Sequence, residues 1–163
     1  LTDLLKPEHI ATKRYFGETA FRNGDMVRFV NKKVSQFDKE EKLALERAIK
    51  ALSAEAGLSR QAEVEEVETD LIVLGKEDLG YELGCSDCHA FHFEDDDADG
   101  PDLTGYGSRE WMKSFISDPG QKRFYGENND RMPSFLTEGI LTPTEIGLLV
   151  DWLRQDWYEP LPK

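Results

Sequence analysis

Apolar residues recur at helical spacing in four stretches of the chain, separated by turn-forming residues. In "LTPTEIGLLVDWLRQDW", Ile146, Leu149, Val150, Leu153 and Trp157 fall on one helical face. Thr142 and Glu145 precede it as a capping-box pattern, with Pro143 at the first helical position. A second capped stretch covers about 38 to 55: Asp38 and Glu41 repeat the cap, and Leu45, Ala48, Ile49 and Leu52 form the stripe. A third covers about 60 to 82, with Val64, Val67, Leu71 and Leu74 inward, before Gly80 and Gly84 loosen it. A short helix starts at Ser108, turns Trp111, Met112, Phe115 and Ile116 inward, and stops before Pro119-Gly120. No segment alternates as a half-buried strand does, so the pattern predicts an all-α protein.

The pattern also repeats. "LLKPEHIATKRYFGETAFRNGDMVRFV" is similar to "FISDPGQKRFYGENNDRMPSFL". Pro7 matches Pro119, Arg14-Tyr15-Phe16-Gly17 matches Arg123-Phe124-Tyr125-Gly126, and Met26 matches Met132. Phe29 and Phe135 each lie three residues past their methionine, and a capped amphipathic helix follows both. Residues 1–57 therefore read as the back half of a unit without its front half, and 58–163 as a whole one. The boundary falls near Gly57.

Composition narrows the function. The net charge of −13 comes from 33 acidic against 20 basic residues, which repels nucleic acid; it suits basic partner proteins, with simple solubility the plainer reading. No apolar run approaches the roughly 20 residues that cross a bilayer. Leu1 begins an amphipathic stretch with no signal-peptide pattern, so any targeting or anchoring segment is expected outside this chain.

Both cysteines and two of the three histidines lie in "LGCSDCHAFH". A disulfide, a zinc site, a redox dithiol and a covalent haem site compete for this stretch. A disulfide across two residues closes too small a loop to stabilise much. Zinc bound by Cys85, Cys88, His89 and His92 would lack the usual separated ligand pairs. A thioredoxin-type dithiol would sit beside a βαβ pattern that is missing. Cys85-Ser86-Asp87-Cys88-His89 has the C-x-x-C-H spacing of haem attachment: two thiols reach two vinyl groups, and the next residue aims imidazole at the iron. Met132, in "NDRMPSF", is the expected sulfur ligand on the other side, its loop stiffened by the following proline. Met112 sits among apolar helix neighbours and reads as core filler. His92 is too near His89 to reach the opposite haem face and is expected on the surface or the propionate side.

From about 70 to 160 the chain resembles a class I cytochrome c: a helix leading into C-x-x-C-H, then "GPDLTGYGSREW", then "RMP", then a helix with an aromatic. The resemblance implies a cytochrome c fold with one covalent haem c, preceded here by the incomplete repeat. It implies that Pro101 offers its carbonyl to His89 and that the helices at about 70–82 and 143–157 cross near the haem, with Trp152 on the second. Tyr106, Trp111 and Arg123 are, by the same analogy, propionate partners or haem-wall residues. "SREW", "DP", "RFYG" and "NDRMP" resemble more narrowly the cytochrome c subunits or domains of bc-type quinol-oxidising and related membrane complexes. The first copy departs from the pattern: no C-x-x-C-H precedes it, and Val27 stands where proline follows Met132. It either belongs with a front half outside this chain, serves as a docking element, or brings Met26 near a haem. A buried core methionine is the plainer expectation for Met26. "DDDADG" at 95 to 100 spaces Asp95, Asp97 and Asp99 like an EF-hand opening, but Tyr106 stands where the bidentate glutamate belongs, so a solvated acidic loop is expected.

The function expected is single-electron transfer by a His/Met-ligated haem c, in a carrier rather than an enzyme. Its partners would be redox proteins basic at the contact, with a membrane-bound cytochrome b or oxidase subunit among them, on the periplasmic or other extracytoplasmic face. A haem peroxidase, a gas-binding haem protein and a docking subunit are the alternatives.

Overall fold

The computed structural model describes residues 1–93 and 98–156, and among these it is helical with no strand. Seven α-helices run in order: α1 Pro7–Ile10, α2 Asp25–Lys32, α3 Lys39–Ala54, α4 Ala62–Val67, α5 Thr69–Glu77, α6 Arg109–Ser117 and α7 Pro143–Arg154. A wide turn over Asp78–Glu82, closed by Leu83 N–H on the Asp78 carbonyl, continues α5 towards Cys85.

The caps form as their residues require. Asp38 Oδ1 accepts from Glu40 and Glu41 N–H, and Glu41 returns to Asp38 N–H at 2.9 Å. Thr142 and Glu145 close the same box on α7. Ser108 caps α6 through Trp111 N–H at 3.2 Å. The expected single helix over 60–82 is instead α4 and α5, broken at Glu68, where ψ turns positive.

The apolar side chains form two cores. In the first, Ile10, Val27, Val30, Val34, Phe37, Ala44 and Ala48 meet Leu79, Leu83 and Phe91. In the second, Ile116, Ile146 and Val150 are joined by Met112, Phe115, Met132, Phe135, Leu141 and Leu149. The chain turns at Gly57 (φ +57°), but the first core runs straight across that position, and residues 1–57 share their interior with the helix before Cys85.

Helix pairing differs from what the family resemblance implies. α5 packs along α3, and α7 packs on α6. The reason lies at Gly75, where a Cβ would overlap the Arg47 carbonyl of α3. On α3 the buried positions are Ala44, Ala48 and Ala51, so two small-residue faces bring the backbones together. Leu45 and Leu52 are partly buried and pack against the first core. Ion pairs flank the α3–α5 contact: Arg47 holds Asp78 through two nitrogens (2.6 and 3.0 Å), and Lys76 reaches Glu55 at 2.9 Å. The stripe expected inward on α4 and α5 consequently faces out, Val67 being 86% exposed and Val64, Leu71 and Leu74 also exposed. On α7, Ile146 and Val150 are buried as expected, but Leu153 and Trp152 are exposed, and Asp151 and Arg154 are buried. Both buried groups are bonded. Asp151 accepts from Arg109 at 2.6 and 3.0 Å, and Arg154 donates to the Ala56 and Gly107 carbonyls at 2.8 and 2.6 Å. Trp157 lies outside the described residues.

Gly75→Ala is expected to destabilise the protein by about 1–3 kcal/mol, because overlap with backbone outweighs the gain in helix propensity. Gly80→Ala, where nothing lies within 4 Å of a new Cβ, is expected to be neutral or stabilising. Urea unfolding of the two variants checks the contrast.

Candidate functional site

Gly84, with φ +71°, turns the chain out of the helical region into a short 3₁₀ turn, Cys85–Asp87. Cys88 and His89 N–H groups both donate to the Cys85 carbonyl (3.3 and 3.0 Å), which winds the two sulfurs and the imidazole onto one turn. The Ser86 hydroxyl anchors that turn to the Gly80 carbonyl. Cys85 packs against the first core, and burial, only partly offset by the nearby Lys33 ammonium, pushes its thiol up to about 11. Burial also raises Cys88, aided by the charges of Asp99, Asp25 and Asp87. No disulfide joins Cys85 and Cys88.

The His89 ring lies 2.8 Å from the Pro101 carbonyl through Nδ1, the contact implied by the family resemblance. A carbonyl only accepts, so Nδ1 carries the proton and Nε2 keeps the lone pair a metal needs. Burial lowers the affinity of the ring for a second proton, with the Pro101 bond opposing, which favours the neutral imidazole. Gly100 makes the approach possible: a Cβ there would stand 2.6 Å from His89 Cε1. Beside it, Gly100 N–H donates to the Cys88 carbonyl and Leu103 N–H to the Ala90 carbonyl, which lays segment 100–103 along 88–90. Two thiols and a pre-set imidazole on one turn, beside a glycine cradle, fit a covalent haem. No three His, Cys, Asp or Glu side chains among the described residues are arranged to hold a bare metal ion.

Trp111 and Arg123 converge on Asp102, the residue after Pro101. Trp111 Nε1 donates to the Asp102 carbonyl at 3.0 Å, and the Arg123 guanidinium lies 3.2 Å from Asp102 Oδ2. Tyr106 packs edge-on to Trp111, 5.0 Å between centroids, in an aromatic cluster completed by Phe115 and Phe124. Burial raises the Tyr106 hydroxyl.

Met112 packs against the second core and Met26 against the first, as a core reading of each requires. Met132 belongs to the second core, its backbone held by both ends of the Asn129 amide (3.2 and 2.6 Å). It borders a cavity of about 400 Å³ shared with Phe115, Tyr125, Arg14, Tyr15 and Phe16, and none of Cys85, Cys88 and His89 lines that cavity. Met26 packs against the first core together with Cys85, and its neighbour Asp25 acts on Cys88.

Glu55 was not legible as a site residue. Its buried carboxylate accepts from Lys76 Nζ (2.9 Å), His92 Nε2 (2.8 Å) and Gly105 N–H (2.9 Å), tying the end of α3 to α5 and to the segments at His92 and Gly105. His92 is exposed and turned to Glu55 in a left-handed conformation, φ +59°. Nothing in the local sequence signals a contact between residues so far apart. Asp95 and Asp97 lie outside the described residues, and Asp99 is exposed. No family model, curated protein or solved structure matches the chain.

Burial raises the Glu55 carboxyl, but the hydrogen bonds from Lys76, His92 and Gly105 and the Lys76 charge outweigh it and hold the pKa below its ordinary value. A lowered carboxylate stabilises the fold above its unfolded pKa of about 4.3 and loses that contribution as pH falls through the folded value. The stability gap between the native protein and Glu55→Gln is therefore expected to shrink as pH drops from about 6 to about 3, measured by urea unfolding. In haem-free protein, with burial pushing its thiol up to about 11, Cys85 is expected to react more slowly than an ordinary cysteine. Alkylation at pH 8 followed by peptide mass mapping is expected to label Cys88 first.

Proposed function

We propose that this chain is a single-electron carrier with one haem c, joined through thioethers to Cys85 and Cys88 and bound at the iron by His89. The observation that carries this reading is the 2.8 Å contact of His89 Nδ1 with the Pro101 carbonyl inside a C-x-x-C-H turn. That bond fixes the tautomer and aim of the ring before any cofactor binds. The bound haem supplies a one-electron iron couple that needs no bond making when both axial positions are filled. The polypeptide's part is to bury the motif, hold the imidazole and keep the ligand sphere alike in both oxidation states. The fold is then of cytochrome c type, modified by the exchange of α3 for α7 on α5.

The acidic surface supports weak, salt-sensitive encounters with basic redox partners, a membrane-bound cytochrome b or oxidase subunit being the class proposed. The reading places the protein on the periplasmic or extracytoplasmic side, where C-x-x-C-H haem attachment takes place in bacteria. A purely docking role for residues 1–57 is less well supported, because they pack into the core that carries Cys85.

Met132 is the proposed sulfur ligand from the "NDRMP" loop. A second reading assigns the ligand to Met26, favoured by its packing in the same core as Cys85. Intact mass and a pyridine haemochrome spectrum are expected to give one covalent haem per chain. With Met132 as ligand, Met132→Leu abolishes the thioether-to-ferric-iron absorption band and Met26→Leu leaves it; the reverse result moves the ligand to the first repeat. No such band in the native protein, with carbon monoxide binding, would replace the carrier by a peroxidase or gas-binding protein.

A further inference from the structure

The bonds around Pro101 form a line. The Pro101 carbonyl, which accepts from His89 Nδ1–H, and the Asp102 N–H belong to one peptide group. That N–H donates to the Arg123 carbonyl at 2.8 Å. An amide engaged through its N–H carries more negative charge on its oxygen, so a bond at one end strengthens the bond at the other. Arg123 also reaches back with its side chain to Asp102 Oδ2, at 3.2 Å. One residue thus holds the peptide through its own carbonyl and the Asp102 carboxylate through its guanidinium. Thr104 N–H on Asp102 Oδ1 (2.8 Å) and Trp111 Nε1 on the Asp102 carbonyl (3.0 Å) complete the clamp.

We propose that Asp102 and Arg123 are positioning residues that set how strongly His89 donates to an iron bound at Nε2. The proposal rests on the haem reading and goes beyond it, because it gives Arg123 and Trp111 work other than facing a propionate. With the clamp closed, the Nδ1–H···O bond, 2.8 Å between its heavy atoms, shifts electron density onto the imidazole. A more basic imidazole favours the ferric state and lowers the midpoint potential. Loosening either side chain lets the peptide tilt, weakens that bond and raises the potential.

Charge alone makes a different prediction, and this separates the two. Removing the Asp102 negative charge raises the potential, whereas removing the Arg123 positive charge lowers it. The experiment compares Asp102→Asn, Arg123→Gln and Arg123→Lys holoproteins by spectroelectrochemical titration, with solvent exchange of the His89 ring N–H followed by NMR. The expected result is an upward shift and faster ring-proton exchange in both Asp102→Asn and Arg123→Gln, with Arg123→Lys returned towards the native values. Shifts of opposite sign with unchanged exchange overturn the clamp and leave the haem reading standing. If Arg123→Gln does not fold, the exchange rate of Asp102→Asn decides: unchanged, it overturns the proposal. Native protein whose intact mass shows no haem overturns the underlying reading as well.

Discussion

The site depends on one hydrogen bond, from the His89 ring to the Pro101 carbonyl. Because the acceptor is a carbonyl, the bond determines which nitrogen is protonated as well as where the ring points. It can form only where residue 100 has no side chain and where segment 100–103 is pinned along 88–90. The pins come from far along the chain. Trp111 reaches Asp102 because Ser108 caps α6 just before it, and α6 keeps its place because Arg109 is held bidentately by Asp151 of α7. A ring orientation at residue 89 is thereby connected to a carboxylate near the C-terminal end of the described chain.

Paired charges of this kind add little net stability, since desolvation offsets most of the attraction. Their effect is on register. Arg47 with Asp78 and Arg109 with Asp151 both use a planar fork against a carboxylate, which allows one angle and one height between two helices. Apolar burial drives the helices together. The forks select which of several similar packings is kept, and the buried Arg154, bonded to carbonyls on both sides of the turn at Gly57, joins the two cores in the same manner.

Local features were legible in the sequence because their causes are local. The two capping boxes, the start of α6 at Ser108 and its end before Pro119 follow from side chains within one turn of the backbone they satisfy. The turn carrying Cys85, Cys88 and His89 is equally local, and the Pro101 contact was implied by the resemblance. Faces were less legible. The stripe through Val64, Val67, Leu71 and Leu74 is a good helical pattern, but periodicity counts bulk and does not weigh a glycine. Gly75 and three alanines on α3 outcompeted it by letting two backbones approach. Asp151, Arg154 and Glu55 are charged, and nothing in the helical pattern signals their burial. Each is buried because its partner comes from a distant segment, which spacing along the chain does not encode.

The repeat explains why α3 takes the place expected for α7. Counted from their caps at Asp38 and Thr142, Ala44 corresponds to Leu148 and Ala48 to Trp152. The helices therefore share a pattern and a cap but differ in bulk at the positions that face α5. Against Gly75, α3 presents methyl groups, and the backbones close to contact. An indole at the Ala48 position would hold them apart, leave Gly75 facing a gap and forfeit the dispersion that close packing supplies. Trp152 and Leu148 are exposed instead, while α7 turns Ile146 and Val150 onto α6. The same choice draws the first repeat, Met26 included, against the core containing Cys85, and leaves Met132 in the other core. Side-chain volume on two helices with the same cap and pattern therefore determines which methionine shares a core with Cys85.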